Sequence, residues 1–89
     1  MTHLERLIIR AVKAGNFVLT LHARNRMNER RVSELDIMEV ANTLKSIRYQ
    51  KKTDTYLLTG LSTWKERLMV SAAVRGEVII VTVFFEERS

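Results

Sequence analysis

The sequence predicts an α+β domain in which two to three N-terminal helices pack on a C-terminal antiparallel sheet of about four strands. Apolar residues recur at helical spacing in the first half of the chain, and the period changes to two after Ser46. The three glycines, Gly15, Gly60 and Gly76, stand where the pattern changes. With 89 residues the chain has room for one hydrophobic core, so we expect a single domain over residues 1–89.

The first two helices are predicted from apolar spacing and from their ends. From Thr2 to Ala14 the apolar residues fall on one side and the charged residues mostly on the other. Gly15-Asn16 ends this helix, because both residues tolerate the left-handed conformation. A short extended lead-in, FVLT, comes next, and a second helix is predicted from Leu21 to Arg30 with Thr20 as its N-cap.

A third helix is predicted to open at Ser33. The Ser33 hydroxyl can cap the helix, while Glu34 and Asp36 suit its positive end. We expect the helix to end near Lys45-Ser46.

Strands and tight turns are predicted for the second half. Two strands, Ile47 to Lys51 and Thr55 to Leu61, are separated by a turn at residues 52–54. The run ERLMVSAAVRGEVIIVTVFF predicts a hairpin that turns at residues 75–77. In its second arm, residues 78–85, both alternating faces are apolar, so we expect this strand to be central with cover on each side.

The charge balance favours a polyanionic partner. The formal net charge is +5 and the sequence pI is about 10.1, which suits nucleic acid, acidic protein segments or anionic lipid. No apolar run is long enough to span a bilayer, and the N-terminus lacks the features of a signal peptide, so we expect a cytoplasmic protein. Without cysteines the small core has no disulfide or thiolate metal site, which leaves a homodimer or a bound partner open.

The segment LTLHARNRMNERRVS, residues 19–33, carries the candidate site. On a helix, positions four apart lie above one another, so His22, Arg26 and Arg30 form one polar ridge. Ala23 and Met27 form the neighbouring apolar ridge and are the predicted core contacts. The sequence therefore sets an imidazole and two guanidinium groups at the border of a buried surface.

These residue types suit chemistry on a phosphodiester. Arginine presents a planar fork of donors to phosphate oxygens and keeps its charge, while histidine can accept or donate a proton near neutral pH. The start of the helix near Thr20-Leu21 adds amide groups that favour an anion. The alternative is a solvated helix face or a set of internal ion pairs, with partners available in Glu29, Glu34, Asp36 and Glu39.

Further nucleic-acid contacts are predicted at Arg48, Lys51, Lys52 and Trp64. The three cations lie along or just after the first long strand, and the Trp64 ring could stack on a base. Edge lysines also protect a strand against aggregation, and Trp64 could simply pack over its own sheet. We expect no metal site, because two histidines without cysteines rarely bind a transition metal, and no cofactor.

The stretch FVLTLHARNRMNERRVSELDIMEV, followed by strands that end in VIIVTVFF, resembles a widespread family of small bacterial and phage proteins classed as a domain of unknown function. Their pattern is His-Ala-x-x-Arg-Met-x-Glu-Arg-Gly-Ile-Ser-x-x-Asp-Ile, then strands that end in a Thr-Val-Tyr-like motif. The resemblance covers residues 16–85. The matching positions are His22, Ala23, Arg26, Met27, Glu29, Arg30, Ser33, Asp36, Ile37, Thr82 and Val83.

Two positions depart from the family pattern. Arg31 stands at the usual glycine, so the turn between helices must accept a side chain or differ in shape. Phe84 stands where tyrosine is common, which removes a hydroxyl that could donate a proton.

The family is similar to the RelE, ParE and BrnT toxins, and this resemblance implies the same RelE-like α+β architecture. It implies a function class more than a reaction, because such toxins include ribonucleases, gyrase poisons and members without demonstrated activity. We expect a toxin-like protein that acts on RNA, a metal-independent endoribonuclease with His22, Arg26 and Arg30 at its site. An acidic antitoxin is the expected protein partner, and dependence on the ribosome is left open. The competing hypothesis is a non-catalytic module that binds nucleic acid or protein on the same fold.

Overall fold

The computed structural model of the chain describes residues 1–86. Three helices precede the four long strands, as the sequence predicts, and the fold class is α+β. The elements are α1 (His3–Lys13), β1 (Val18–Leu19), α2 (Leu21–Arg30), α3 (Glu34–Asn42), β2 (Ser46–Gln50), β3 (Thr55–Leu61), β4 (Arg67–Val74) and β5 (Val78–Phe85).

The described strands form one sheet in the order β1-β5-β4-β3-β2. Strands β2 to β5 are antiparallel neighbours, whereas β1 pairs with β5 in parallel, with Val18 opposite Ile79. The sequence predicts about four strands because β1, the predicted extended lead-in, has only two residues. Two residues are too few for a period of two, and the partner strand lies far along the chain.

The hydrophobic core lies between the helices and one face of the sheet. Leu58, Val70 and Val83 stand opposite one another across β3, β4 and β5 and are all buried. Ile8 and Val12 of α1 belong to the same cluster. Residues of α2 and α3 complete it, namely Ala23, Met27, Ile37, Val40 and Ala41.

The other side of the sheet has no helix over it in the part of the chain that the structure describes. Thr59, Met69 and Phe84 lie in one row across this face, and the Met69 and Phe84 side chains are half-buried. We call it the open face. Strand β5 lies inside the sheet, second from the edge and beside β1, but only one of its faces is covered. The expectation that β5 is covered on both sides is therefore wrong.

Helix α3 is held against the β3–β4 hairpin at its C-terminal end. A Cβ atom at Gly60 would overlap the carbonyl oxygen of Val40, so only glycine permits this approach of helix to strand. The Thr43 hydroxyl accepts a hydrogen bond from the Leu61 amide at 2.8 Å and donates one to the Glu39 carbonyl at 2.7 Å. The helix therefore ends at Asn42, three residues before the predicted Lys45-Ser46 end.

The predicted N-caps of α2 and α3, Thr20 and Ser33, are confirmed. Thr2, Thr20 and Ser33 are the N-caps of the three helices, and Thr2 and Ser33 each form a reciprocal capping box. Gly15 follows α1 with φ of 75°, in the left-handed region that its predicted role as a stop requires. Across residues 1–86, no helix has both the length and the apolar character needed to cross a bilayer.

Candidate functional site

Thr20 fixes the start of α2 against the sheet. Its hydroxyl accepts a hydrogen bond from the Ala23 amide at 2.9 Å and donates one to the Val81 carbonyl at 3.1 Å. The Thr20 amide also donates to the Ile80 carbonyl at 3.1 Å. Helix α2 consequently begins at β5 and packs along it.

The packing of α2 leaves the predicted polar ridge at its border. Ala23 and Met27 are buried in the core, as predicted. His22 is exposed, and the side chains of Arg26 and Arg30 are 40% and 34% exposed. We call His22, Arg26 and Arg30 the α2 ridge. The helix thus brings one imidazole and two guanidinium groups to a single flank.

Glu29 places a carboxylate within reach of the α2 ridge. Its Oε2 atom lies 2.8 Å from Nη1 of Arg26 and 3.9 Å from Nη1 of Arg30. Among the atoms of residues 1–86, the buried Nη1 of Arg30 has no hydrogen-bond acceptor. One arginine is therefore neutralised by a surface ion pair, while the second retains unused donor capacity.

Helix α2 ends in a left-handed residue, Arg31, with φ of 56° and ψ of 43°. The amides of Arg31 and Val32 both donate to the Met27 carbonyl, which closes the last turn. This is the backbone conformation that glycine adopts most readily. The turn therefore has a shape that glycine favours and carries an arginine side chain in spite of it.

Asp36 fixes the segment that follows α2. Its carboxylate is buried and accepts hydrogen bonds from the amide and hydroxyl of Ser33, at 2.9 and 3.0 Å. It also accepts from the amide and hydroxyl of Thr63, at 2.8 and 2.5 Å. Burial by itself raises the pKa of Asp36, but the hydrogen bonds outweigh burial and hold the pKa below its ordinary value.

The other predicted nucleic-acid residues are exposed but dispersed. Arg48 lies on β2, at the opposite edge of the sheet from α2. Three strand spacings of about 4.8 Å separate β2 from β5, which is about 14 Å. Lys51 and Lys52 lie in the β2–β3 turn, and Trp64 lies in the β3–β4 turn. Since β3 separates these turns, Trp64 and the two lysines stand at opposite ends of the sheet, about 20 Å apart.

Several cations come together on the open face, and of these the sequence predicted only Arg48 as a nucleic-acid contact. Lys45, Arg48 and Arg67 line a cavity of about 370 Å³, together with Thr59 and Met69. We call these five residues the sheet basin. Glu86 lies on its rim, with Oε2 at 3.0 Å from Nη1 of Arg67.

Strand alternation alone did not reveal the sheet basin. Arg48 and Arg67 point to the same face because each stands opposite or diagonal to residues of β3. Their side chains converge only once the register of three strands is known. Phe84 lies on this same open face, opposite Met69.

No cluster of three or more histidine, cysteine or acidic side chains capable of holding a metal ion occurs within residues 1–86. The α2 ridge offers the chemistry of imidazole and guanidinium groups. At the sheet basin it is charge attraction for an anion beside apolar and hydroxyl-bearing side chains.

Comparison with known proteins assigns the chain to a family. Residues 19–85 match the family described as "Domain of unknown function (DUF4258)", and the chain belongs to it. Neither a curated protein nor a solved structure matches the chain. Both the α2 ridge and the sheet basin residues lie within the matched region, whereas α1 lies outside it.

Proposed function

We propose that the protein is a toxin-like ribonuclease of a toxin–antitoxin-type system that acts on RNA in the cytoplasm without a metal ion. The observation that carries the proposal is the α2 ridge, where His22, Arg26 and Arg30 share one accessible flank of a short helix. The resemblance of the residue pattern to the RelE, ParE and BrnT toxins supplies the function class. The formal net charge of +5 supports a polyanionic substrate.

The ridge has several of the groups that transesterification of RNA requires. The 2′ oxygen attacks phosphorus, the bond to the 5′ oxygen breaks, and the products are a 2′,3′-cyclic phosphate and a 5′-hydroxyl. One proton must leave the 2′-hydroxyl and one must reach the 5′ oxygen. We assign one of these transfers to His22, while Arg26 and Arg30 bind the phosphate and its developing charge.

The Arg26–Glu29 ion pair does not block this role. It is a surface pair, with side chains 40% and 57% exposed, and such pairs contribute about 0.2–1 kcal/mol. A phosphate that accepts two parallel hydrogen bonds from a guanidinium competes well with a pair of this strength. We therefore expect Glu29 to move away when RNA binds.

The sheet basin supplies a second contact for the same strand. Lys45, Arg48 and Arg67 attract backbone phosphates, and the half-buried Met69 and Phe84 side chains present apolar surface to bases. The sheet basin lies on the open face and α2 lies on the covered side, so RNA that contacts both regions would pass around an edge of the sheet.

Matched variants test the catalytic assignment. His22→Ala and Arg26→Ala should each lower the cleavage of an RNA substrate by about 100-fold or more, the usual contribution of a proton-transfer group or a charge-stabilising donor. The controls are His3→Ala and Arg24→Ala, since both residues are exposed and lie off the α2 ridge. Cleavage that persists unchanged in His22→Ala and Arg26→Ala would refute the site.

The second candidate function is RNA binding without cleavage. It is favoured by the sheet basin, which gathers three cations without an imidazole. In that case wild type and His22→Ala bind RNA equally and leave it intact, and Arg48→Ala or Arg67→Ala lowers the affinity. The salt dependence of binding distinguishes phosphate contacts from others, because removing one phosphate contact reduces the slope of log K against log salt by about 0.7 for a single strand.

A further inference from the structure

A groove runs along one flank of α1. It encloses a cavity of about 560 Å³ between this helix and the β4–β5 turn. Four side chains of α1 give it apolar lining, namely Leu4, Leu7, Ala11 and Ala14. Leu4 and Leu7 remain 37% and 43% exposed, whereas Ile8 of the same helix is fully buried in the core. The helix therefore has a second apolar surface that residues 1–86 leave partly uncovered.

The four apolar lining residues of α1 follow the spacing of a seam between two helices. Their positions, 4, 7, 11 and 14, are separated by three, four and three residues, which is the spacing of the apolar positions in a coiled coil. The stripe that docks α1 onto its own domain is a different one and contains Ile8 and Val12. A second stripe at this spacing beside a concavity indicates a surface that packs against another helix.

The order of large and small side chains makes this seam complementary to itself. Leucine occupies its N-terminal half and alanine its C-terminal half. When two copies of α1 pack antiparallel about a two-fold axis, Leu4 of one protomer meets Ala14 of its partner. Leu7 meets Ala11 in the same way. Each large side chain then faces a small one, so the helix axes can approach to about 8 Å.

The groove also carries one charge of each sign. Arg10 of α1 and Glu77 of the β4–β5 turn both line it, and neither takes part in an ion pair within residues 1–86. The other cations of α1, Arg6 and Lys13, are exposed but do not line the groove. A two-fold axis places each patch against its own copy, so a patch with one cation and one anion can form two ion pairs across it.

We propose that this groove is the interface of a symmetric homodimer in which the two α1 helices pack antiparallel. Leu7 of each protomer enters the groove of its partner beside Ala11 and Val78. Arg10 of each protomer pairs with Glu77 of its partner. The interface is small, because α1 has 11 residues and spans about 16 Å, so we expect a dimer that dissociates on dilution.

The homodimer is independent of the proposed ribonuclease function. No residue of the α2 ridge or the sheet basin lines the groove. The helix that supplies the seam also lies outside the family-matched residues 19–85. Association can therefore be measured without RNA, and its failure leaves the ribonuclease proposal unaffected.

Sedimentation equilibrium of the full chain measures the association. We expect the weight-average mass of the wild type to rise from 10.4 kDa towards twice that value as the concentration is raised to about 1 mM. Leu7→Glu should weaken the association about tenfold or more, because it places two carboxylates in the apolar seam. Leu35→Glu is the matched control, because Leu35 is 65% exposed on α3 and does not line the groove.

Exchange of the two groove charges tests the two-fold symmetry. Arg10→Glu and Glu77→Arg should each weaken self-association, because like charges then meet across the axis. An equimolar mixture of these two variants should regain the wild-type association. In the mixed dimer one protomer has carboxylates at both positions and the other has guanidinium groups at both. Arg24→Glu is the control, at an exposed cation of α2 that does not line the groove.

Circular dichroism shows whether each variant is folded, and the exposed positions of Arg10 and Glu77 keep the test valid if Leu7→Glu is not. A wild type that stays monomeric over the whole concentration range would overturn the proposal. Unchanged association in a folded Leu7→Glu, or a mixture that associates no better than its two components, would overturn it as well. A monomeric wild type whose binding to phosphatidylglycerol vesicles is lost in Leu7→Glu would reassign the groove to a membrane surface.

Discussion

Replacement of Asp36 by asparagine should destabilise the protein strongly, because Asp36 joins α3 to the β3–β4 turn. The carboxylate is 3% exposed, and its two oxygens accept four hydrogen bonds, two from Ser33 and two from Thr63. Asparagine keeps one acceptor oxygen and presents an NH₂ group in place of the other. The hydroxyl that faces this group can rotate away, but the backbone amide beside it cannot.

The cost follows from the number and type of these bonds. A buried hydrogen bond to a charged group contributes about 1.5–3 kcal/mol, and Asp36→Asn loses one such bond outright and weakens those that remain. We therefore expect the free energy of unfolding to fall by about 3 kcal/mol. In a domain of this size that corresponds to a fall in Tm of about 12–24 °C. Glu34→Gln, at an exposed carboxylate in the same helical turn, should cost less than about 1 kcal/mol.

The pH dependence provides a second measurement on the same pair of proteins. The pKa of Asp36 is lower in the folded protein than its ordinary value. Its contribution is therefore complete above the unfolded pKa of about 3.9 and is lost as the pH falls through the folded pKa. Denaturant unfolding of wild type and Asp36→Asn should show a stability difference that is constant near neutrality and narrows in acid. A difference below about 0.5 kcal/mol at pH 7, or one that does not narrow in acid, would refute the reasoning.

Three further predictions concern other parts of the molecule. Gly60→Ala should lower the free energy of unfolding by about 1–3 kcal/mol in denaturant titration, because the added methyl group overlaps the Val40 carbonyl; an unchanged midpoint would mean that α3 shifts freely. Arg31→Gly should raise Tm and increase the free energy of unfolding by about 0.5–1 kcal/mol, because φ of Arg31 is 56°. A lower Tm would show that the arginine side chain makes a larger contribution to stability than the backbone strain removes. Arg48→Ala should reduce the salt slope of RNA binding by about 0.7 without a change in Tm, and an unchanged slope would exclude Arg48 from phosphate contact.

Local chemistry determined the helices and turns. Thr20 and Ser33 were identifiable as N-caps because a side-chain oxygen that accepts a backbone amide acts within three residues. The bounds of α2 and β3 follow directly from periodicity. The end of α3 does not follow from periodicity. The Thr43 hydroxyl ends the helix and accepts a hydrogen bond from the amide of Leu61, which belongs to a strand outside the helical pattern.

Arg31 shows how a turn can keep a conformation that glycine favours while another residue stands there. The sequence indicated that Arg31 requires either a changed turn or a tolerated side chain. The structure keeps the left-handed turn, because the amides that close it on Met27 are backbone groups and do not depend on the side chain. A single non-glycine residue in this conformation costs about 1–2 kcal/mol, which the packing of α2 and α3 offsets.

The sequence by itself determined the α+β class, the three helices with their caps, and the α2 ridge, because each depends on residues close together in the chain. Only the tertiary structure decided which strand lies at the edge, which face of the sheet stays uncovered, and that Lys45, Arg48 and Arg67 meet in the sheet basin. Those outcomes depend on strand order and register. Both are set by the burial of Leu58, Val70 and Val83 against helices that are distant in the chain. The spacing of residues within a single element does not specify these long-range contacts.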